Sequence, residues 1–420
     1  MSHTKPGEKR SQVFAWSLFD FANTAFYVLI LVLSYPLYFK EVVVQNRQNA
    51  DFLWGLTFSI SMAIVAIISP VLGAAADKGV SKKILLALFT LLCVIATALL
   101  SFVGEGEIVL GMMLLILANI GFEAGLVFYD AFLPELATPE QYGKISGFGF
   151  AMGYAGSLVT LAVAYPLLSG GFDVSNLGNI HATFLLASGM FFVFALPLFI
   201  YVKEQTGHHS FRPVLVKSGY TQVLQTIKDI SQYKNVVKFL LAYFIYFDAI
   251  NTVIIFSSIF ARQTLKMEIT QIVMFFALVQ TSAIVGSYIF GIISDKIGQK
   301  RTLFITLWMW VGIVIAAYFV TTIPAFFWIG FAAGIAMGSS QSTSRSLMSV
   351  IIPKSKKTEF FGFYSFFGKA SAILGPLIFG YISSMIDQRT AILSVGILLL
   401  AGMALLYPVV ETPFQEELPG

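Results

Sequence analysis

The chain has 420 residues, of which 57% are hydrophobic and only 11% are charged, and its formal net charge at pH 7 is +4. Its mean hydropathy is +0.82. Runs of about 20 apolar residues, each long enough to cross a membrane as a helix, recur along the whole chain. The composition therefore predicts an all-α polytopic membrane protein. The basic residues fall in short loops between the apolar runs, so the positive charge does not indicate nucleic-acid binding.

Twelve transmembrane helices are predicted, in two sets of six. They cover residues 14–39, 52–76, 84–103, 107–132, 145–169 and 182–202, and then 237–261, 269–294, 302–321, 325–350, 359–384 and 390–409. Lys and Arg are much more frequent in the segments on the side of the two termini, and this bias predicts that both termini are cytoplasmic. The short loops and tail favour a bacterial inner (plasma) membrane, with a vacuolar membrane as the alternative.

The predicted halves are residues 1–202 and 237–420, joined by a cytoplasmic linker at residues 203–236. Apolar residues recur at helical spacing in this linker, beside several lysines. The pattern predicts a basic amphipathic helix on the inner membrane surface. It is compatible with a tether between the halves and with a regulatory or lipid-sensing segment. The apolar positions are Val216, Tyr220, Val223, Leu224, Ile227 and Ile230.

Several short motifs occur in both halves, in the same order. Phe19–Thr24, which contains Asp20 and Asn23, recurs as Phe247–Thr252, which contains Asp248 and Asn251. The stretch Gly73-Ala-Ala-Ala-Asp77 at the end of the second span recurs as Gly291-Ile-Ile-Ser-Asp295 at the end of the eighth. A parallel duplication of six spans is predicted, with a binding site near the membrane midplane between the halves.

The stretch from Gly291 to Arg301, with Asp295, Gly298 and Lys300, resembles the loop signature of the major facilitator superfamily. The first-half copy departs from it by carrying Gly79 one position early. Residues 15–26, 128–134, 344–346 and 359–364 resemble the branch that includes the yeast vacuolar amino-acid effluxer and its bacterial relatives. This resemblance implies the major facilitator fold, in which spans one, four, seven and ten line the cavity, and an amino-acid-like substrate.

Ionisable side chains at membrane depth cost about 2.5–3.5 kcal/mol on insertion scales, so each one is a hypothesis for a functional site. The first half supplies mainly carboxylates, whereas the second half offers Arg345 and Lys369, a combination that suits a zwitterion. Asp20 and Glu123 are the predicted proton carriers, and Asp248 is predicted to be held ionised by a cation. The candidate substrate- and proton-binding residues are Asp20, Asn23, Tyr27, Asn119, Glu123, Asp130, Asp248, Asn251, Gln341, Arg345 and Lys369.

Structural roles are the alternatives for these residues. Asp20 and Asn23 are also compatible with an interhelical hydrogen-bond clasp, worth about 0.6 kcal/mol. Asp130 lies near the inner mouth, where a gate or a helix-end contact is as plausible as substrate contact. Arg345 is compatible with an anion contact and with an inner-gate pair to an acid such as Asp130 or Asp20.

The repeated loop residues are predicted to be gating elements rather than ligands. Each Asp precedes a glycine that permits a tight turn, and the basic residues that follow lie at the inner surface, where they can pair across the halves. These gating residues are Gly73, Asp77, Gly291, Asp295, Gly298 and Arg301.

The sequence therefore predicts a secondary active transporter that moves a small polar or zwitterionic solute by alternating access with proton coupling. The alternatives are a drug or hydrophobic-metabolite exporter, for which the 41 Phe residues supply aromatic walls, and a non-transporting receptor. No enzyme activity, cofactor or metal is predicted, because the four His residues fall in the tail or loops and no Cys cluster or phosphate-binding loop occurs. The expected partners are a small-molecule substrate, protons and the lipid bilayer, with no nucleic acid, for a monomeric chain.

Overall fold

The computed structural model describes residues 6–45, 50–172, 174–204, 213–371, 378–379, 381–382 and 385–412. Within these residues the chain is helical and forms no extended β-strand. Eleven of the described helical segments are long and apolar enough to cross a membrane. The predicted all-α membrane fold is confirmed.

The first of two compact units contains Met1–Leu136 and Met152–Tyr220. Helix α1 packs against α8, and α5 packs between α3 and α4. In the first span, two π-helical segments, Tyr27–Leu33 and Phe39–Val43, flank the short helix α2. The helices before residue 205 are α1 (Pro6–Phe26), α2 (Ser34–Tyr38), α3 (Ala50–Asp77), α4 (Lys82–Leu99), α5 (Ile108–Asp130), α6 (Leu133–Leu136), α7 (Tyr142–Leu168) and α8 (Leu177–Tyr201).

The second compact unit contains Thr221–Gly420 together with Ala137–Ala151, which includes the start of α7. Helices α11 and α13 lie so close that a Cβ at Gly334 or Gly338 would overlap a backbone carbonyl oxygen of α11, as is typical of small-residue packing in membranes. The helices of this part of the chain are α9 (Pro213–Lys228), α10 (Lys234–Gln263), α11 (Ile269–Ile297), α12 (Gln299–Phe319), α13 (Ile323–Ile351), α14 (Lys357–Ala370) and α15 (Gln388–Leu406).

The eleven described spans lie close to the predicted positions, with ends that differ by a few residues. The eleventh predicted segment, residues 359–384, begins as α14, and part of the remainder lies outside the described residues. That part includes Gly375 and Pro376, a pair that predicts a bend in the helix. Helix α9 lies where the linker helix was predicted.

The turns after α3 and α11 share one backbone feature. Gly79 has a φ of 109° and Gly298 a φ of 100°, a region that side chains with a Cβ rarely adopt. The first-half motif carries its glycine one position early, but this glycine still provides the left-handed turn. The turn after α3 therefore departs from the family signature in sequence but keeps a glycine with a positive φ.

A carboxylate caps the helix that follows each of these turns. Glu204 accepts hydrogen bonds from the Ser81 hydroxyl at 2.5 Å and the Lys82 N–H at 2.6 Å, at the start of α4. Glu411 accepts from the N–H groups of Gln299 at 2.6 Å and Lys300 at 2.9 Å, at the start of α12. Each cap satisfies N–H groups that have no partner inside the helix.

The two caps correspond in topology, because Glu204 follows the sixth predicted span and Glu411 follows the twelfth. Burial raises the pKa of Glu204 above its usual value, although the hydrogen bonds from Ser81 and Lys82 act in the opposite direction.

Candidate functional site

Asp20 is buried on α1, with 8% of its surface exposed. The Tyr129 hydroxyl, from α5, donates a hydrogen bond to Asp20 Oδ2 at 2.7 Å. Trp16, one turn before Asp20, donates from Nε1 to the Tyr129 carbonyl oxygen at 3.0 Å, and the two rings stack with centroids 4.7 Å apart. The tyrosine that holds Asp20 is therefore itself fixed by α1.

The three candidate residues of the first span, Asp20, Asn23 and Tyr27, differ in exposure. Asn23 is buried, and its Nδ2 lies 3.5 Å from Asp20 Oδ1, at the outer limit of a hydrogen bond. Tyr27, by contrast, is 47% exposed and begins the first π-helical segment. Tyr27 is therefore more exposed than Asp20 and Asn23 on the same span.

Helix α5 carries the other predicted residues of the first unit. Asn119 and Glu123 are buried, whereas Asp130 is partly exposed at the end of the helix. Asn119 donates from Nδ2 to the Ser61 hydroxyl of α3 at 2.7 Å. Glu123 lies close enough to Tyr27 for the two groups to interact electrostatically. Helices α1 and α5 therefore meet along their polar positions.

In the second unit, Asp248 is fully buried on α10, and Asn251 is partly buried one turn later. The Tyr246 and Ser344 hydroxyls lie 2.8 Å apart and link α10 to α13. Gln341 is partly buried on α13, and Lys369 is partly buried near the end of α14. The proposed pairing of Asp248 with a cation stays a prediction.

Arg345 is 2% exposed on α13 and binds the start of α7. Its Nε donates to the Ser146 hydroxyl at 2.9 Å, and its Nη2 donates to the Ser146 carbonyl oxygen at 2.9 Å. Its guanidinium carbon lies 4.1 Å from the centroid of the Phe150 ring. Sequence reasoning missed Ser146 and Phe150, although their spacing of four residues places them on one face of α7.

Asp295 caps the start of α7 within the same unit. Its carboxylate accepts hydrogen bonds from the N–H groups of Gly143 at 2.7 Å and Lys144 at 2.8 Å, and from Gln299 Nε2 at 3.2 Å. A carboxylate at a helix N-terminus is stabilised by the unpaired N–H groups and the helix dipole.

This contact depends on a close approach of backbones. A Cβ on Gly143 would overlap the Ser294 hydroxyl and the Gly291 carbonyl oxygen, and a Cβ on Gly147 would overlap the Ser287 carbonyl oxygen. The prediction included Gly291 but missed Gly143, whose only sequence signal is its place near the start of a predicted span.

The remaining predicted gating residues lie near the end of α3 and the start of α12. Gly73 is buried, Asp77 ends α3 and is partly buried, and Arg301 is exposed near the start of α12. Beside the first of these loops, Lys82 forms a buried ion pair with Glu135. Neither Lys82 nor Glu135 was singled out from the sequence.

One sequence assignment requires correction. His181 was placed in a loop, but it lies inside α8, where its Nε2 is 2.8 Å from the Tyr38 hydroxyl. The apolar run used for the prediction began one residue later, so the first turns of this helix were missed. Among the described residues, no group of three or more His, Cys, Asp or Glu side chains is arranged to hold a metal ion.

Comparisons with known proteins agree with this fold. A family model described as "Vacuole effluxer Atg22 like" matches residues 46–413. The MFS-type transporter YxiO of Bacillus subtilis is 29% identical over 401 residues, covering 93% of each chain. Autophagy-related protein 22 of Yarrowia lipolytica is 25% identical, covering 78% of this chain and 70% of that protein. The solved structure of the proton:xylose symporter XylE superposes with a TM-score of 0.73 at 18% identity, covering 98% of each chain.

Proposed function

We propose a function from the premise that the chain belongs to the vacuole effluxer Atg22-like family of major facilitator transporters. It is a secondary active transporter that moves a small polar or zwitterionic solute, amino-acid-like in chemistry. Transport proceeds by alternating access and is coupled to protons.

The hydrogen bond from Tyr129 to buried Asp20 is the observation that carries the proposal. The phenolic donor helps to stabilise the ionised form of this carboxylate in the transmembrane helix while it stays in place. A conformational change that separates α1 from α5 removes this donor in a poorly solvated site, which favours uptake of a proton. Glu123, buried on the same α5, is the second proposed proton carrier.

The charges of the two units support a zwitterionic substrate. Asp20 and Glu123 in the first unit are suited to bind an ammonium group, and Arg345 and Lys369 in the second are suited to bind a carboxylate. The contacts of Arg345 with Ser146 and Phe150 support its alternative role in a gate. In that case Lys369 is the carboxylate ligand.

One feature favours the hydrophobic-metabolite exporter as the second candidate. The second unit contains a cavity with almost entirely apolar walls, including the rings of Phe256, Phe260, Phe275, Phe326 and Phe379. These walls offer little to bind a charged solute, but the cavity volume of about 70 Å³ is well below the roughly 300–1,000 Å³ of ligand pockets, so a hydrophobic solute would require the cavity to widen.

Transport by the purified full-length chain in proteoliposomes tests the proposal. Uptake and efflux of a panel of labelled amino acids are measured with and without a pH gradient, beside a set of hydrophobic dyes and protein-free liposomes. We expect at least one amino acid to accumulate only when the gradient is present. Gradient-dependent movement of dyes alone would favour the exporter, and tight binding without transport would favour the receptor.

A further inference from the structure

Helix α9 uses polar side chains to contact the rest of the second unit. Gln222 donates from Nε2 to Glu359 Oε2 at 2.6 Å, and Lys356 donates from Nζ to the Thr226 hydroxyl at 2.8 Å. Gln222 and Thr226 are one helical turn apart, so one face of α9 contacts the beginning of α14. Thr226 and the intervening Val223 are buried.

The connection that follows α9 strengthens this attachment. The Lys356 ammonium lies 5.0 Å from the centroid of the Tyr233 ring, and that ring packs edge-on against Phe360 with centroids 5.0 Å apart. Because Lys356 contacts both Thr226 and Tyr233, the helix and its connection are fixed to the same end of α14.

A second face of α9 exposes large apolar side chains. Tyr220 is 56% exposed, Leu224 41% and Ile227 49%. At about 100° per residue, these three positions fall within about 60° of one another, and the direction of Gln222 and Thr226 lies roughly a right angle or more away. Helix α9 thus turns Gln222 and Thr226, with Val223 between them, toward the protein and exposes three large apolar side chains, which a surface helix of a soluble protein would bury.

The third face of the helix is polar and exposed, with Thr221, Gln225 and Lys228. Helix α9 ends at Lys228, and the next membrane-spanning segment begins at Ile230, which is itself 49% exposed. The apolar stripe therefore ends at Ile227, three residues before this segment, and Tyr220 at its other end lies ten residues before it.

Exposed cations accompany this stripe. Lys228 is followed by Lys234 and Lys238, both exposed at the start of α10. An apolar stripe beside lysines at a membrane boundary matches the chemistry of an interfacial helix on a negatively charged lipid surface.

We propose that Tyr220, Leu224 and Ile227 insert into the headgroup layer of an anionic lipid surface, with Lys228 and Lys234 attracting the lipid phosphates. Lipid-bound α9 then holds the start of α14 in place through Gln222 and Thr226. This site is a lipid-binding device that requires no particular transported solute, so its test is independent of the transport assay.

Hydrogen–deuterium exchange of the full chain in lipid nanodiscs tests the proposal. Discs of phosphatidylcholine alone are compared with discs that also contain phosphatidylglycerol. We expect residues 220–230 to exchange about tenfold or more slowly in the anionic discs, as is expected when a helix face is buried. Leu224→Gln should remove this protection, whereas the neighbouring change Gln225→Ala, on the exposed polar face, should keep it.

The contribution of Lys228 and Lys234 to the binding of anionic lipid is tested separately. Each lysine near an anionic surface contributes about fivefold to the binding constant, so Lys228→Gln with Lys234→Gln should lower the preference for anionic lipid about 25-fold. In the unmodified chain, equal hydrogen–deuterium exchange of residues 220–230 in both kinds of disc would overturn the proposal. This outcome does not depend on any variant. Protection that appears only after addition of a soluble protein would assign the stripe to a protein partner instead.

The link to α14 is tested with Gln222→Ala. In the unmodified chain, residues 357–364 should exchange more slowly in the anionic discs. Gln222→Ala should retain the lipid-dependent protection of residues 220–230 but lose that of residues 357–364. Unchanged exchange at α14 in this variant would show that α9 binds lipid without holding α14.

Discussion

The two copies of the Asp-x-x-Asn-Thr motif occupy different environments. Asp20, in the first unit, is 8% exposed and accepts a hydrogen bond from the Tyr129 phenol of α5. Asp248, in the second unit, is fully buried, and the nearby phenol of Tyr246 contacts the Ser344 hydroxyl of α13 instead. The first carboxylate thus has a phenol of a different helix as a donor, whereas the phenol that precedes the second carboxylate on its own helix contacts a neutral hydroxyl.

This comparison shows that a motif sets the position of a carboxylate on its helix, whereas a donor such as Tyr129 comes from another helix. The predicted division of roles, with Asp20 exchanging a proton and Asp248 held ionised by a cation, rests on the presence of Arg345 and Lys369 in the second half, and the following experiments test it.

The largest expected effect is on energy coupling. One proton that moves down a gradient of one pH unit supplies about 1.4 kcal/mol, enough for about tenfold accumulation of a solute. Asp20→Asn should abolish that accumulation in proteoliposomes while solute exchange without a gradient continues. Asp248→Asn is the matched variant, and it should keep the accumulation. If Asp20→Asn retains full accumulation, Asp20 is not the proton carrier.

The next largest expected effect is the loss of stability when Tyr129 or Tyr246 is replaced by phenylalanine. Tyr129→Phe removes a hydrogen bond to an ionised group, which costs about 1.5–3 kcal/mol, whereas Tyr246→Phe removes a neutral one, which costs about 1 kcal/mol. The free energy of unfolding of both variants is measured by chemical denaturation in mixed micelles. Equal losses would indicate that Asp20 is already protonated in the folded protein, contrary to the proposed cycle.

Gly79 and Gly298 allow the turns after α3 and α11 to be compared. Replacing either glycine by alanine places a Cβ in the left-handed region, at a cost of about 1–2 kcal/mol. Gly298→Ala should cost more than Gly79→Ala, because its Cβ would also lie 2.9 Å from Glu411 Oε2 and disturb the cap of α12. Unfolding in micelles measures both, and a larger loss for Gly79→Ala would contradict this explanation.

The smallest expected effect is the pH dependence of the α4 cap. Because burial raises the pKa of Glu204 in the folded protein, the folded state binds more protons than the unfolded state between the two pKa values. The contribution of Glu204 to stability is therefore greatest below its unfolded pKa of about 4.3 and declines as the pH rises through the folded pKa.

Glu204→Gln should remove this part of the pH dependence, as measured by thermal unfolding across the acidic range. Glu411→Gln, at the corresponding cap of α12, is the control for loss of a capping carboxylate as such. An identical pH profile in the unmodified chain and in Glu204→Gln would contradict the assignment.

The sequence predicted features that depend on local pattern. The spans follow from the length of apolar runs, the duplication from repeated motifs, and α9 from the helical spacing of its apolar residues. The burial of Asp20, Glu123, Asp248 and Arg345 agrees with the expectation that charged side chains in spans point into the protein.

The contacts of these residues were not predictable in the same way. Tyr129 reaches Asp20 across 109 residues, and Arg345 reaches Ser146 across 199. Helical periodicity gives the face on which a residue lies, but it does not say which helix that face meets. The cap of α7 by Asp295 also needs the close backbone approach at Gly143, which depends on how two helices pack.

The π-helical segment Tyr27–Leu33 shifts the angular phase of the first span between its two ends. A π turn inserts an extra residue, so side chains beyond it are rotated by about 100° relative to a continuous α-helix. Tyr35 and Tyr38 therefore point in directions that the α-helical spacing from Asp20 and Asn23 does not give, and the contacts of the distal part of this span depend on the π segment being retained.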